Sequence, residues 1–117
     1  MQRNFMKCLT AERRKNKKMY YIISMKHTNK RDRFITLWGK GNCGYYTSTE
    51  GAGLYETPIE GYHNSPPDSI PIEREKLEKL AVLVIQQGVG WHCVPNCQSV
   101  WDELGFKWDR RGDLILK

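Results

Sequence analysis

The sequence predicts a small α+β domain, in which an antiparallel sheet packs with one or two helices. In the first half of the chain, short segments rich in β-branched and aromatic residues alternate with turns that carry glycine, asparagine or proline, which is typical of hairpins. The second half contains charged stretches with apolar residues three to five positions apart, which indicates amphipathic helices. The length of 117 residues is enough for one domain.

Three consecutive segments predict the sheet. Tyr20–Met25 and Phe34–Trp38 carry β-branched and aromatic side chains, and the polar stretch between them contains Asn29, so we expect an N-terminal hairpin. The glycine-rich connection Gly39–Gly44 leads to a third strand at Tyr45–Thr49. The small sheet is therefore the N-terminal hairpin plus this third strand.

The strongest helix signal begins at Ser69 or Pro71. It places Ile72, Leu77 and Leu80 on one face, between charged residues. The apolar stretch that follows, residues 81–85, fits either a continuation of this helix or a strand, because periodicity does not separate the two.

The C-terminal third predicts a second helix and a last hairpin. Asn96 is a favourable N-cap for a helix over Cys97–Leu104, and Gly105 is a favourable stop. Two short apolar segments flank a polar turn and are expected to pair: Phe106–Trp108 and Leu114–Leu116.

The positive charge of the chain is concentrated at its start. The formal net charge is +6, and residues 1–18 hold seven basic residues and one acidic residue, while residues 19–117 hold twelve of each. We therefore predict a basic arm or upstream extension at 1–18 and a single α+β domain at 19–117. Any affinity for nucleic acid is expected to depend on the arm, because phosphate contacts need cationic side chains. The arm residues concerned are Arg13, Arg14, Lys15, Lys17 and Lys18.

The apolar segments predict a cytoplasmic protein without a membrane span. No apolar run approaches the length of about eighteen residues that a membrane helix needs, and the basic N-terminus is not followed by the apolar segment of a signal peptide. Because cytoplasmic thiols stay reduced, we expect the four cysteines to be free.

Two short motifs resemble binding or catalytic sites. For each of them, the alternative is that the residues serve only the fold. Gly39–Gly44 matches G-x-G-x-x-G, but the residues after it favour a strand rather than the helix that a dinucleotide site requires, so we predict a hairpin loop. Cys93 and Cys97 lie near His92, and Cys43 and His63 could complete a zinc site, but nothing in the spacing requires that set. No third group that would orient a thiolate nucleophile can be identified. We predict no metal, no cofactor and no enzymatic activity.

A long irregular loop with three prolines runs from Thr57 to Ser69. Within it, Gly61–Asp68 is the predicted working surface, together with the neighbouring aromatics Tyr55 and Tyr62. Its prolines reduce the entropy lost on ordering, and its tyrosines can pack against a partner at little rotamer cost. We place His63 at the surface of this loop. The predicted partner-binding residues are Tyr55, Tyr62, His63, Asn64 and Asp68.

Five segments in the first two thirds of the chain are recognisable when they are taken together. They are Tyr20–Thr28, Ile35–Trp38, Gly44-Tyr45, Ala52–Tyr55 and Gly61–Asn64. Together they resemble a group of small bacteriophage and prophage accessory proteins, over about residues 19–72. The resemblance implies a phage setting and a natural start at Met19. It implies no active site, cofactor or fold.

These observations rank three functions. The first is a small non-enzymatic phage-type accessory protein that binds and inhibits a host protein, such as a component of a defence system, in the manner of an anti-CRISPR protein. It is favoured by the phage resemblance and by aromatic residues of the kind that anchor protein interfaces. The alternatives are a nucleic-acid-binding protein that uses the basic arm, and a small-molecule or nucleotide-binding protein built on the loops at 39–44 and 61–68.

Overall fold

The computed structural model of the protein describes residues 17–117. Its centre is an antiparallel sheet of four strands in the order β3–β2–β1–β4. The described residues also form two helices and two separate two-stranded sheets, so the predicted α+β class is confirmed. The four strands of the central sheet are β1 (Tyr20–Ser24), β2 (Leu37–Trp38), β3 (Tyr45–Tyr46) and β4 (Ser69–Glu73).

Strand β1 is buried on both of its faces. It pairs with β2 through Ile23 and Leu37, and with β4 along its whole length. Tyr21 and Ile23 point into the main core, whereas Ile22 and Ser24 point to the opposite face, because successive side chains of a strand alternate. Both of these opposite-face side chains are also buried, so the sheet is covered on two sides.

The prediction of a helix beginning at Ser69 or Pro71 is wrong. Ser69–Glu73 is strand β4, which pairs with the edge that β1 leaves free. Pro71 is compatible with this placement, since β4 is an outer strand of the sheet and an edge strand tolerates a residue without an N–H. The helix, α1, covers Arg74–Leu80 and buries Leu77 in the core.

The apolar stretch after α1 is strand β5 (Val82–Gln86), which resolves the choice between helix and strand. It pairs with β6 (Val89–Cys93) in an antiparallel hairpin. Gln87 and Gly88 form the connection, and both have positive φ angles, 52° and 78°. This is the geometry of the two-residue turns that match the twist of a hairpin.

The second helix, α2, covers Gln98–Leu104 and ends at Gly105 as predicted, where the backbone is left-handed with φ 75°. Both helices are seven residues long, and no helix within residues 17–117 is long and apolar enough to cross a bilayer. The predicted last hairpin is confirmed, with β7 (Phe106–Trp108) paired to β8 (Leu114–Leu116).

Asn96 does not cap α2. The N-cap position is occupied by Cys97, which makes no capping bond through its side chain. The Asn96 amide instead donates to the carbonyls of Asn29 and Asp32, both at 2.9 Å, and its Oδ1 accepts from the Trp101 indole at 2.7 Å. Asn96 therefore connects the loop after β1 to helix α2, which a local capping rule does not anticipate.

One apolar core lies between the central sheet, the two helices and the last hairpin. Phe106 is its largest fully buried side chain. The core draws residues from β1, β2, β4, both helices and the last hairpin, whereas β3, β5 and β6 contribute none. Its members include Tyr21, Ile23, Leu37, Leu77, Val94, Val100, Leu104, Phe106 and Leu114.

Candidate functional site

A cleft of about 300 Å³ lies on the sheet face opposite the main core. Leu37 points into the core, so its neighbour Trp38 points into the cleft. Tyr45 lies opposite Trp38 in the β2–β3 ladder, and Ser24 is paired with Ser69 between β1 and β4. All four line the cleft, whose volume is at the lower end of the range for small-ligand sites.

Three aromatic rings dominate the cleft. The ring of Trp38 is nearly perpendicular to those of Tyr45 (89°, centroids 6.4 Å apart) and Tyr62 (75°, 5.1 Å). One face of Tyr45 stacks on His27, with centroids 4.0 Å apart. Trp38 is half-buried and both tyrosines are exposed, so Trp38 forms the floor and the tyrosines form two walls.

The loops at 39–44 and 61–68 meet at this cleft through His63. Its Nδ1 accepts the Ile59 N–H at 2.8 Å, so in the neutral ring the proton is on Nε2, which donates to Asn42 Oδ1 at 2.7 Å. His63 is only 3% exposed, and this burial lowers its pKa. The prediction that His63 lies at the surface is therefore wrong.

Tyr55 holds the glycine-rich loop at 39–44 in place through its hydroxyl group. Its hydroxyl donates to the Gly39 carbonyl and accepts from the Asn42 N–H at 3.0 Å. Its backbone forms both bonds of a bridge with Tyr20, at 2.9 and 2.8 Å. The side chain is half-buried, and its role in the structure is to position the glycine-rich loop.

The predicted partner-binding residues divide into three groups. Tyr62 and Asp68 line the cleft, whereas Tyr55 and His63 hold its loops together. Asn64 is not part of the cleft lining and donates to the Glu60 carboxylate at 3.0 and 3.2 Å. Whether any of them contacts a partner stays a prediction.

Sequence reasoning did not assign Lys26, His27, Trp38 and Tyr45 to a site. All four line the cleft. The signal that could have found Trp38 was present, because its neighbour Leu37 is the apolar residue that faces the core in a two-residue period. No local pattern could have placed Lys26 and His27, since Lys26 meets Asp68 beside the β1–β4 pair and His27 stacks on Tyr45 of β3.

The two charged residues of the cleft have opposite signs. The backbone N–H of Lys26 donates to the Asp68 carbonyl at 3.1 Å, which holds the two residues close together. Neither ionised side chain forms an ion pair with any other described residue. Both charges are therefore available to a ligand.

Within residues 17–117, Cys93 and Cys97 are free thiols in different surroundings. The buried Cys93 thiol has a raised pKa because burial disfavours the thiolate. Cys97 Sγ lies 3.3 Å from Ser99 Oγ, a hydrogen bond that lowers its pKa, while the His92 ring contacts Glu50 instead, at 2.5 Å. Within residues 17–117, no three His, Cys, Asp or Glu side chains are grouped to hold a metal ion.

The glycine motif forms a hairpin loop, as predicted. A short 3₁₀ turn at Lys40–Asn42 is followed by β3, which pairs antiparallel with β2. No helix begins after the last glycine, so the loop lacks the helix N-terminus on which a dinucleotide phosphate would rest.

The β5–β6 hairpin presents a second surface of a different kind. Ile85 is 64% exposed and Leu83 60%, and three further large apolar side chains of the hairpin are also exposed. Strands β5 and β6 form a separate two-stranded sheet, and a single antiparallel bridge joins Cys93 at the end of β6 to Ser48. The hairpin is anchored at its base, where the Thr49 N–H donates to the His92 carbonyl at 2.8 Å. The other three exposed side chains are Val82, Val89 and Trp91.

The basic arm is described only from Lys17 onward. Lys17 forms an ion pair with Glu56, and Lys18 Nζ lies 3.3 Å from the Glu73 carboxylate. These two cations are therefore paired with the body. The other predicted nucleic-acid residues, Arg13, Arg14 and Lys15, lie outside the described residues.

No protein-family model, curated protein or solved structure matches this chain.

Proposed function

We propose that this chain is a small non-enzymatic binding protein that docks on a partner protein through the β5–β6 hairpin and inhibits it. One observation carries the proposal. The hairpin exposes apolar side chains on both of its faces, where a hairpin packed on its own domain shows apolar residues on one face only.

The pairing register defines the two faces. Residues directly opposite in an antiparallel ladder share a face, so Val84 and Trp91 lie on one side together with Val82 and Val89. Leu83 lies on the other side, with Ile85 opposite Gly90. The Leu83 side chain reaches across Gly90, where a Cβ would lie 3.1 Å from Leu83 Cδ1. This second face therefore carries an apolar patch formed by Leu83 and Ile85, with the polar ring of His92 opposite Leu83.

The exposed hairpin is costly for an isolated chain and useful in a complex. A two-stranded hairpin is at best marginally stable by itself in water, and a contiguous exposed apolar patch marks an interaction surface, whereas single exposed residues do not. The outer edge of β5 has no strand partner within the described residues, so a partner can also pair with its backbone. Apolar contacts and strand addition together favour a protein partner.

The partner that we propose is a host protein in the bacterial cytoplasm. This part of the proposal is supported by the resemblance to phage accessory proteins. The equal numbers of acidic and basic residues in 19–117 also favour a protein partner over nucleic acid, because they leave the body without the net positive charge that phosphate binding uses.

The test is capture of the partner from bacterial host cells, followed by affinity measurement with the purified partner. We expect Ile85→Lys to weaken binding at least about tenfold, the scale of an interface hot spot. Ile59→Lys is the matched control, because Ile59 is 56% exposed and lies outside the hairpin. It should bind normally, and both variants should melt near the wild-type temperature.

Two outcomes would contradict the proposal. In the first, Ile85→Lys and Ile59→Lys bind the partner equally well, which would move the interface away from the hairpin. In the second, sedimentation shows that the wild-type chain is a dimer which Ile85→Lys dissociates. The hairpin would then belong to self-association.

A further inference from the structure

We infer that the aromatic cleft is a separate binding site for an organic cation whose ammonium group is alkylated. The cleft and the hairpin share no residue, so this inference can be tested independently of the proposed function.

The ring geometry is that of a box open on one side. Tyr45 and Tyr62 both stand nearly perpendicular to Trp38, at 89° and 75°. Two rings that stand nearly perpendicular to a third beside a small volume can present several π faces to a ligand, and such aromatic surroundings bind quaternary ammonium groups. A flat ligand would instead require parallel rings for stacking on both of its faces.

Asp68 adds a negative charge to this box. Asp68 lines the cleft, and its carboxylate is not ion-paired with any described residue. The backbone holds the residue in place, because its N–H donates to the Ser65 carbonyl at 2.8 Å and its carbonyl accepts from Lys26. A cation at the centre of the cleft would gain from the rings and from this carboxylate.

Several polar side chains of the cleft are already hydrogen-bonded within the protein. Ser24 Oγ is 2.8 Å from His27 Nδ1 and accepts the His27 N–H at 3.2 Å. The Ser69 hydroxyl donates to the Tyr62 carbonyl at 2.9 Å, and Asn42 Oδ1 is bonded to His63. Among the described residues, the charges of Lys26 and Asp68 and the hydroxyls of Tyr45 and Tyr62 have no such partner. The ring faces and the Asp68 carboxylate are the groups that an alkylated ammonium, which has few or no hydrogen-bond donors, would contact.

Lys26 has the same charge as the proposed ligand. It lines the cleft with Asp68, so its ammonium group opposes binding of a cation. The two charges should therefore have opposite effects on the affinity for a cation. Removing the charge of Asp68 should weaken binding, and removing the charge of Lys26 should strengthen it. An anionic ligand such as a phosphate would show the reverse.

The trimethylammonium group can come from two sources, a free small molecule such as choline or a trimethylated lysine side chain on another protein. The experiment titrates the full chain with choline, with a short peptide that contains trimethyllysine and with the same peptide carrying unmodified lysine. Binding is read by NMR at the indole N–H of Trp38. We expect saturable shifts with at least one of the methylated ligands and much weaker binding of the unmodified peptide.

The variants separate cation–π binding from simple apolar contact. Tyr62→Leu keeps apolar bulk but removes the π face, so it should weaken binding about threefold to fivefold, while Tyr62→Phe should bind like the wild type. Asp68→Asn should weaken binding and Lys26→Met should strengthen it. The matched control is Tyr46→Leu, because Tyr46 is as exposed as Tyr62 (46% against 47%) but does not line the cleft.

Tighter binding of the trimethyllysine peptide than of choline would identify a protein ligand, and equal binding would identify the free head group. Three results would overturn the inference. They are no saturable shift at Trp38 with either methylated ligand, equal binding of the unmodified peptide, and weaker cation binding in Lys26→Met.

Discussion

The imidazole of His63 and the carboxamide of Asn42 are joined by a hydrogen bond of 2.7 Å between residues 21 positions apart in the chain. This bond connects the glycine-rich loop after β2 to the long loop before β4. Because the opposite ring nitrogen accepts a backbone N–H, the arrangement requires a neutral imidazole. The cleft walls therefore depend on the protonation state of a buried histidine.

We expect His63 to make the stability of the protein pH-dependent. Burial lowers its pKa from 6.5, so the unfolded chain binds this proton more readily than the folded chain. The contribution of neutral His63 to the free energy of unfolding is therefore complete above about pH 6.5. It is lost as the pH falls through the lower pKa that His63 has in the folded state. Urea unfolding of the wild type and of His63→Ala at several pH values between 5 and 8 measures the effect.

His63→Ala should lower the free energy of unfolding by about 2 kcal/mol at pH 7.5, because it leaves the Ile59 N–H and Asn42 without their partner. The variant should also reduce the dependence of the free energy of unfolding on pH below pH 6.5. An identical pH profile in the wild type and His63→Ala would contradict the prediction.

Glu50 should hold the base of the apolar hairpin in place. Its carboxylate accepts the His92 N–H at 2.8 Å and contacts the His92 ring at 2.5 Å. Burial alone would raise the pKa of Glu50, but the hydrogen bonds from His92 outweigh it and lower the pKa below 4.5. The carboxylate therefore stabilises the hairpin above about pH 4.5, and this contribution is lost as the pH falls through the folded-state value.

Hydrogen exchange of the hairpin amides tests this role at neutral pH. Glu50→Gln should speed exchange at His92 and its β5 neighbours while leaving the central sheet unchanged. Glu60→Gln serves as the comparison, because the Glu60 carboxylate is bonded to Asn64, far along the chain from the hairpin. Equal exchange in wild type and Glu50→Gln would show that the strand pairing alone orders the base.

The two C-terminal tryptophans should respond differently to the same substitution. Their rings pack edge to face, with centroids 5.5 Å apart. The Trp101 indole donates to Asn96, whereas the buried indole nitrogen of Trp108 has no partner among the described residues. Trp101→Phe should therefore destabilise the fold by about 1 kcal/mol more than Trp108→Phe, because only the first change breaks a hydrogen bond.

Chemical denaturation of the two variants measures this difference. Because both changes remove the same number of atoms, the cavity contributions approximately cancel. Equal losses of stability would mean that the bond between Trp101 and Asn96 contributes nothing net.

A chain that starts at Met19 should keep its fold. The truncation removes the ion pairs of Lys17 with Glu56 and of Lys18 with Glu73, whose side chains are 46–70% exposed. Exposed pairs contribute little to stability. The Met19 carbonyl, which accepts the Arg74 N–H at 2.8 Å, is retained. We expect a cooperative melt within about 4 °C of the full chain; a larger loss would assign a structural role to residues 1–18.

Local sequence patterns predicted those elements whose signals lie within a few residues. The β1–β2 pairing, the glycine loop, the stop of α2 at Gly105 and the last hairpin follow from β-branched runs and from glycines. The same patterns failed at Ser69–Glu73, because the local sequence of that segment is also compatible with the start of a helix. The segment is a strand because it pairs with β1, which lies about fifty residues earlier in the chain. Asn96 was misassigned for the same reason, since its partners at Asn29 and Asp32 lie more than sixty residues away.

The sequence by itself determined the α+β class, the division of charge between residues 1–18 and the body, and the presence of more aromatic residues than one small core encloses. Only the tertiary structure decided where those aromatic residues lie. It brought Trp38, Tyr45 and Tyr62 together, buried His63 and left both faces of β5–β6 exposed. The physical reason is that burial and ring contacts depend on which strands pair across long chain separations, and residue spacing along the chain carries no record of that pairing.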